Sequence, residues 1–157
     1  MHANAERVQA ALADAGGGGT VRELAESAGT ADAAAEALGV DVGAIVKTLV
    51  FAADGEPVVV LVSGDHRVDV KAVAAVLGAS AVNRADVDLV RSATGFPIGG
   101  VAPVAHPRTL PTVMDRQLAR FPVIWAAAGT PHAVFPTTFD ELLRLTGGTA
   151  ADVAATA

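Results

Sequence analysis

The stretch IVKTLVFAADGEPVVVLVS, residues 45–63, decides how the rest of the chain is read. Two runs rich in β-branched residues flank Asp54-Gly55-Glu56, a turn signal, and so predict two strands joined by a hairpin. Alternation along the first strand puts Lys47, Leu49 and Phe51 on one face and Val46, Thr48 and Val50 on the other. Both faces are mostly apolar, so the Lys47 ammonium emerges beside buried surface. A desolvated ammonium is costly unless an acid pairs with it or an anionic or polar ligand meets it. A lysine near a strand end can also snorkel to water over its four-carbon stem. The spacing alone leaves both readings open.

On the N-terminal side, residues 4–15 read as a helix ended by GGGG at 16–19. Thr20 and Glu23 have capping-box spacing and predict a second helix. Thr30 caps the next, ADAAAEALG, with Gly39 at its end. Beyond the hairpin, Asp69 caps VKAVAAVLG, ASAVN reads as a short strand, and DVDLVRSATG as a helix from Asp86 to Gly95. The Gly- and Pro-rich segment FPIGGVAPVAHPRTLP is irregular. TVMD, PVIWAAAG and HAVF read as strands, and TTFDELLRLTGG as a helix with Thr138 and Glu141 as its capping box. Interleaved strands and helices with hairpins among them predict an α+β fold, a mixed and partly barrel-like β-sheet flanked by helices. The expectation is one domain over residues 1–157, with its core at about 20–148 and a frayed Ala-rich tail at 149–157.

The chain is 157 residues long, 52% hydrophobic and 18% charged, which is the balance of a folded domain with a sizeable core. It contains no cysteine, which excludes disulfides, thiolate catalysis and Cys-based zinc sites. It shows neither an apolar run of membrane-spanning length, roughly 18–20 residues, nor a signal-peptide pattern at its start, and we expect a soluble, cytoplasmic protein. The net charge of −6 is unevenly spread. The middle third carries Arg67, Lys71, Arg84, Arg91, Arg108, Arg116 and Arg120 against four acids, the side a polyanion would prefer.

The segment TGFPIGGVAPVAHP, residues 94–107, is the second feature with chemical content. Gly95, Gly99 and Gly100 permit a backbone that side-chained residues cannot follow, and Pro97 and Pro103 stiffen it. Such a loop can bring backbone N–H groups close to a ligand as preorganised donors; it also fits an ordinary connection. No Lys-Ser/Thr follows the glycines, so it is not a phosphate-binding P-loop.

Four strings occur in order: GVDVGAIVKTLVF (39–51), TGFPIGGVAPVAHP (94–107), LPTVMD (110–115) and AAAG (126–129). Together they strongly resemble the YbaK/ProX family of aminoacyl-tRNA deacylases, also found as the editing domain inserted in bacterial prolyl-tRNA synthetases. The resemblance covers about residues 20–155. It implies hydrolysis of a wrong amino acid from the 3′ end of a tRNA, assisted by a hydroxyl of the terminal ribose. We expect no cofactor and no metal. It places the family's lysine at Lys47 and its glycine loop at Gly99, Gly100 and Pro103. Thr48, Ile98, Val101, Gly129 and His132 become candidate pocket residues, Thr48 only if the strand is bulged, since it faces away from Lys47. A chain too short for a synthetase is expected to work free-standing, in trans, on tRNA-Pro, with prolyl-tRNA synthetase as a candidate partner. Many relatives read Gly-Gly-x-Ser-Pro-Phe-Gly where this chain has Ala102, Val104 and Ala105, and carry a serine before the late glycine, where this chain has Ala128. Those substitutions raise the alternative of a ligand-binding module that has lost the chemistry. A third reading is a small-molecule ester or amide hydrolase.

Other polar residues carry less. Ser63, Asp65 and His66 crowd into one turn, which does not supply the convergence from separate elements that a triad needs. No paired-histidine spacing supports a metal site. Asp115 is positioned to cap RQLAR and is a possible wall residue. His106 adjoins the glycine loop.

Overall fold

The computed structural model describes residues 1–155. Helix α1 (Ala3–Asp14) is followed by strand β1 (Arg22–Glu23) and helix α2 (Ala31–Leu38). Next come β2 (Val46–Ala53), β3 (Glu56–Ser63), β4 (Arg67–Val68), α3 (Val70–Leu77), β5 (Val82–Arg84) and α4 (Val87–Thr94). After the irregular glycine–proline segment lie β6 (Thr112–Asp115), a 3-10 turn (Arg116–Arg120), β7 (Ile124–Ala127) and β8 (Ala133–Thr137). Helix α5 (Phe139–Thr146), β9 (Thr149–Ala151) and β10 (Ala154–Ala155) complete the described chain.

Local chemistry explains most of these boundaries. Thr30, Asp69, Asp86 and Thr138 each accept a hydrogen bond from a backbone amide of the first helical turn, and Gly39, Gly78, Gly95 and Gly147 end the four helices in the left-handed conformation. The β2–β3 hairpin turns at Asp54 and Gly55, both at positive φ, as a two-residue turn of the primed type requires.

The main sheet has the order β5-β2-β3-β6-β9. Its β2–β3 and β2–β5 pairs are antiparallel and its β3–β6 and β6–β9 pairs parallel. The sheet is buried on both faces, which is why β3 reads as unbroken hydrocarbon. Val59 and Leu61 join a core with α1, Phe96, Phe135 and Leu142, while Val58 and Val60 join a second core with Val73, Val113 and Val153. A second sheet, β1-β8-β7, meets the main one at an isolated bridge between Ile45 and Trp125. The α+β class and mixed sheet are as expected; the sheets do not close into a barrel among the described residues.

Three expectations need correction. Thr20–Glu23 forms no helix. Arg22 and Glu23 pair with Val134 and Ala133 of β8, and the Val21 amide donates to Gln9 Oε1 at 2.7 Å, so the partners are supplied by distant elements rather than by a capping box. The tail does not fray through residue 155. β9 extends the main sheet beside β6, β10 pairs with β4, and Val153 between them is fully buried; residues 156–157 lie outside the described residues. The core likewise extends N-terminally of residue 20, through Ala5, Val8 and Leu12 of α1.

Candidate active site

A cleft of about 360 Å³ opens where the two sheets part. Residues 28–31 and Ala34 of α2 form one side, Ile45–Leu49 another, and Ile98, Gly99, Val101, Trp125, Ala126, Ala127 and Val134 complete it. Most of that lining is aliphatic or small. The exceptions among side chains are Thr30, Lys47, Thr48 and the Trp125 indole. A neighbouring groove lined by Val50, Phe51, Arg84, Ala85 and Val90 shares Leu49, Ile98, Gly99 and Val101 with the cleft.

Consecutive β2 residues line the cleft because it exposes an edge of the strand rather than one face. β5 covers β2 only at residues 51–53, and Trp125 meets Ile45, so the edge between is unpaired. The hairpin register makes the odd-numbered residues of β2 address β3. Two bonds agree at the ends: the Asp54 amide donates outward to Ala81 O, and the Ile45 carbonyl accepts from Gly64 N on the β3 side. The N–H and C=O of Thr48 therefore face the cleft. Its Oγ1 is buried and has no hydrogen-bond partner among the described residues. No bulge is needed for Thr48 to line the site, contrary to expectation.

Lys47 reaches the same cleft from the opposite face of β2. Its ammonium donates to the main-chain carbonyl of His66. Burial pulls its pKa below the ordinary lysine value, the Asp65 and Asp32 carboxylates oppose that shift, and Arg67 adds to it. The group is thus a partly desolvated cation in apolar surroundings.

The glycine loop divides its labour. Gly99, exposed and at φ +91°, lines the cleft beside Ile98 and Val101. Gly100 does not. A Cβ there would stand 2.7–2.9 Å from the backbone N, Cα and C of Thr130, so Gly100 is the point at which the loop presses on the β7–β8 connection. Pro103 lines a separate pocket with His106 and Leu110. Gly129 packs against Asn4 and Phe96 and accepts from Asn4 Nδ2 at 3.1 Å. His132 is exposed and shares its carbonyl with Leu24 N. Of the residues expected at the site, Lys47, Thr48, Ile98, Gly99 and Val101 come together, whereas Gly100, Pro103, Gly129 and His132 support the fold around it. Ala102 and Ala128, where the resemblance leads one to look for serine, are fully buried and line no part of the cleft.

Sequence reasoning missed a polar cluster behind Lys47. Asp115, fully buried at the end of β6, accepts from His66 Nδ1 at 3.1 Å, Ser63 N at 3.2 Å and Gln117 N at 2.9 Å. Arg120 Nη2 donates to Ser63 Oγ at 2.9 Å and to Asp65 Oδ1 at 3.1 Å. Burial works to raise the Asp65 pKa, but hydrogen bonds from Ser63 and Arg120 and the charges of Arg120 and His66 outweigh it and hold the carboxyl below its usual value. Ser63 is fully buried, with its hydroxyl between Gly43 O and Asp65, so it is no nucleophile. Among the described residues no group of three or more His, Cys, Asp or Glu side chains is arranged to hold a metal ion. No helix there is long and apolar enough to cross a membrane.

The aminoacyl-tRNA editing domain profile matches residues 25–145. The crystal structure of a candidate trans-editing enzyme for prolyl-tRNA synthetase superposes with a TM-score of 0.93 at 44% identity, covering 99% of both chains. EbsC of Enterococcus faecalis, designated a candidate Cys-tRNA(Pro)/Cys-tRNA(Cys) deacylase, is 28% identical over 79% of this chain and 76% of its own length. A proline–tRNA ligase of Nitratidesulfovibrio vulgaris is 43% identical over 67 residues, which are 43% of this chain and 12% of that enzyme. The cleft, its lysine and its glycine rim therefore sit in a chain that belongs to the aminoacyl-tRNA editing domain family.

Proposed function

We propose that the protein is a trans-acting deacylase that removes a wrongly attached amino acid from the 3′ end of tRNA, with tRNA-Pro as the leading candidate. The observation that carries this reading is the partly desolvated Lys47 ammonium in a small, largely aliphatic cleft rimmed by Gly99 and by the open edge of β2. Family membership and the designations of the relatives above support the substrate class.

In this reading the aminoacyl group enters the cleft. Its ammonium and carbonyl are the complements of the C=O and N–H that Thr48 presents, as in strand addition, and the Thr48 hydroxyl gains the partner it lacks. Water attacks the ester carbonyl. The negative charge that develops on the carbonyl oxygen is met by Lys47 and by backbone N–H donors of the loop at Gly99, each good donor contributing about 3 kcal/mol. The C–O bond to the terminal ribose breaks. The neighbouring ribose hydroxyl relays the proton from water to the leaving oxygen, so Lys47 stays a cation and serves as neither acid nor base. The products are a free amino acid and an uncharged tRNA. The terminal nucleotide occupies the adjoining groove, where Arg84 can meet its phosphate.

An aliphatic lining discriminates guests by size, at about 1–3 kcal/mol per methylene. The test is a panel of mischarged tRNAs, including tRNA-Pro carrying alanine or cysteine, followed for ester loss. Turnover of at least one member, suppressed by Lys47→Ala, is expected. Binding of a non-hydrolysable aminoacyl-adenosine without turnover of any member would replace this reading with that of a binding module. Hydrolysis of free esters, indifferent to tRNA, would make it a small-molecule hydrolase.

A further inference from the structure

On the reading that the cleft cleaves an ester, we propose that Asp115 and His66 are positioning residues that fix the Lys47 ammonium through the peptide carbonyl of His66. A lysine amine sits on four rotatable bonds and ordinarily loses much rotamer freedom when immobilised. Here its acceptor is the His66 carbonyl, in a turn whose backbone is held by His66 N donating to Ser63 O at 2.9 Å and Gly64 N donating to Ile45 O at 2.8 Å. The same residue's imidazole is tied to a carboxylate that is itself fully buried and has both oxygens in use. Oδ2 takes His66 Nδ1 at 3.1 Å and Ser63 N at 3.2 Å, and Oδ1 takes Gln117 N at 2.9 Å. An ionised carboxylate can only accept, so Nδ1 is the donor in that bond.

The other side of the turn is held through Asp65, whose Oδ1 also lies 3.7 Å from His66 Nε2. Asp65 is fixed by Ser63 Oγ at 2.8 Å and by Arg120 Nη2 at 3.1 Å, and Arg120 stacks on Phe121 with its guanidinium carbon 5.0 Å from the ring centroid. Residues 63–66 are thus clamped by β6 on one side and by the 3-10 turn on the other. None of Ser63, Asp65, His66, Asp115 or Arg120 lines the cleft, so the cluster acts behind the lysine and not on the substrate. A site that must hold a charge within a fraction of an ångström of a developing oxyanion needs such a supporting layer.

The chain has only two lysines, Lys47 and the exposed Lys71, so each variant carries its own mobile reference. The experiment labels lysine with ¹³C and measures ε-methylene relaxation in the wild type, His66→Ala, His66→Asn and Asp115→Asn, with Tm and deacylation kinetics recorded beside it. His66→Ala keeps the main-chain carbonyl and removes the imidazole with both its contacts, Nδ1 to Asp115 and the 3.7 Å approach of Nε2 to Asp65. His66→Asn restores a donor near the Nδ1 position. The expected result is a rigid Lys47 ε-methylene in the wild type that approaches the mobility of Lys71 in His66→Ala and Asp115→Asn and is restored in His66→Asn. With it, kcat falls by about 10²-fold for a misplaced group, while KM changes less than twofold. An unchanged Lys47 mobility in His66→Ala and Asp115→Asn, or a mobile Lys47 in the wild type, overturns the proposal. The relaxation measurement needs no substrate. If no tRNA in the panel is hydrolysed, the functional reading fails, yet Lys47 mobility still decides the positioning claim.

Discussion

Replacing Gly100 by alanine tests the division of labour within the glycine loop. The added Cβ would lie 2.7 Å from Thr130 Cα, 2.8 Å from its C and 2.9 Å from its N. Carbon atoms pack comfortably at about 3.5–4.0 Å, so loop and β7–β8 connection must separate by well over half an ångström. Neither side yields easily. The Gly100 amide is bonded to Pro97 O at 3.1 Å, Val101 and Ala102 behind it are buried, and Thr130 accepts from Ala133 N through its carbonyl and from His132 N through its hydroxyl. Overpacking against backbone costs about 1–3 kcal/mol or more, and we expect about 3. In a chain of this size that lowers Tm by roughly 6–12 °C. The control is Gly99→Ala. Gly99 sits at φ +91° but has open space around it, the nearest atom to a new Cβ being Gly29 O at 3.9 Å. It pays only conformational strain of about 1–2 kcal/mol, yet it lines the cleft and should lose deacylation out of proportion to stability. Calorimetric melts and urea titrations of the two variants check this, with deacylation rates measured well below each Tm. A Gly100→Ala protein that melts within about 2 °C of the wild type would refute the reasoning, as would one less destabilised than Gly99→Ala.

Three further outcomes follow from the site. Lys47→Met removes a cation whose folded pKa lies below its unfolded value of 10.5 because of burial. At neutral pH the charge costs stability, and that cost is relieved as pH rises through the lowered pKa toward 10.5. The variant should therefore keep or gain stability by at most about 1 kcal/mol, screened because the side chain is partly exposed, lose the alkaline rise in stability, and lose deacylation; a large drop in Tm would count against this account. Thr48→Val removes a buried, unpartnered hydroxyl and should raise the stability of the free protein by about 1 kcal/mol while raising KM; urea unfolding and steady-state kinetics check both. Ala105 holds φ +65° without being glycine, so Ala105→Gly should relieve about 1–2 kcal/mol of left-handed strain against about 0.5–1 kcal/mol of added chain entropy. The expected net is a small gain in Tm, and a loss would show that the strain is absent.

Much of the architecture is legible in the sequence alone. Thr30, Asp69, Asp86 and Thr138 bond amides two or three residues on, and the Asp54–Gly55 turn sets its own strand register, so these signals lie in contiguous sequence. Lys47 stands out because a charge in an unbroken apolar run contradicts its neighbours. The failures share a different cause. Thr20–Glu23 carries a sound capping-box pattern, but its backbone finds β8 more than a hundred residues away. The Ala-rich tail has no strand propensity of note, and β6 and β4 order it by offering unpaired edges.

The site divides along the same line. The residue types were readable from the chain by itself: an ammonium amid hydrocarbon, a threonine beside it, and glycines that free a loop. Only the folded arrangement decided which of them meet. It sent Gly99 to the cleft and Gly100 into Thr130, left a gap in the edge of β2 at Thr48, and set Asp115 under a turn fifty residues earlier in sequence. Caps and turns are fixed by bonds within a few residues, whereas an open strand edge or a buried carboxylate clamp exists only once burial has chosen which distant segments lie side by side.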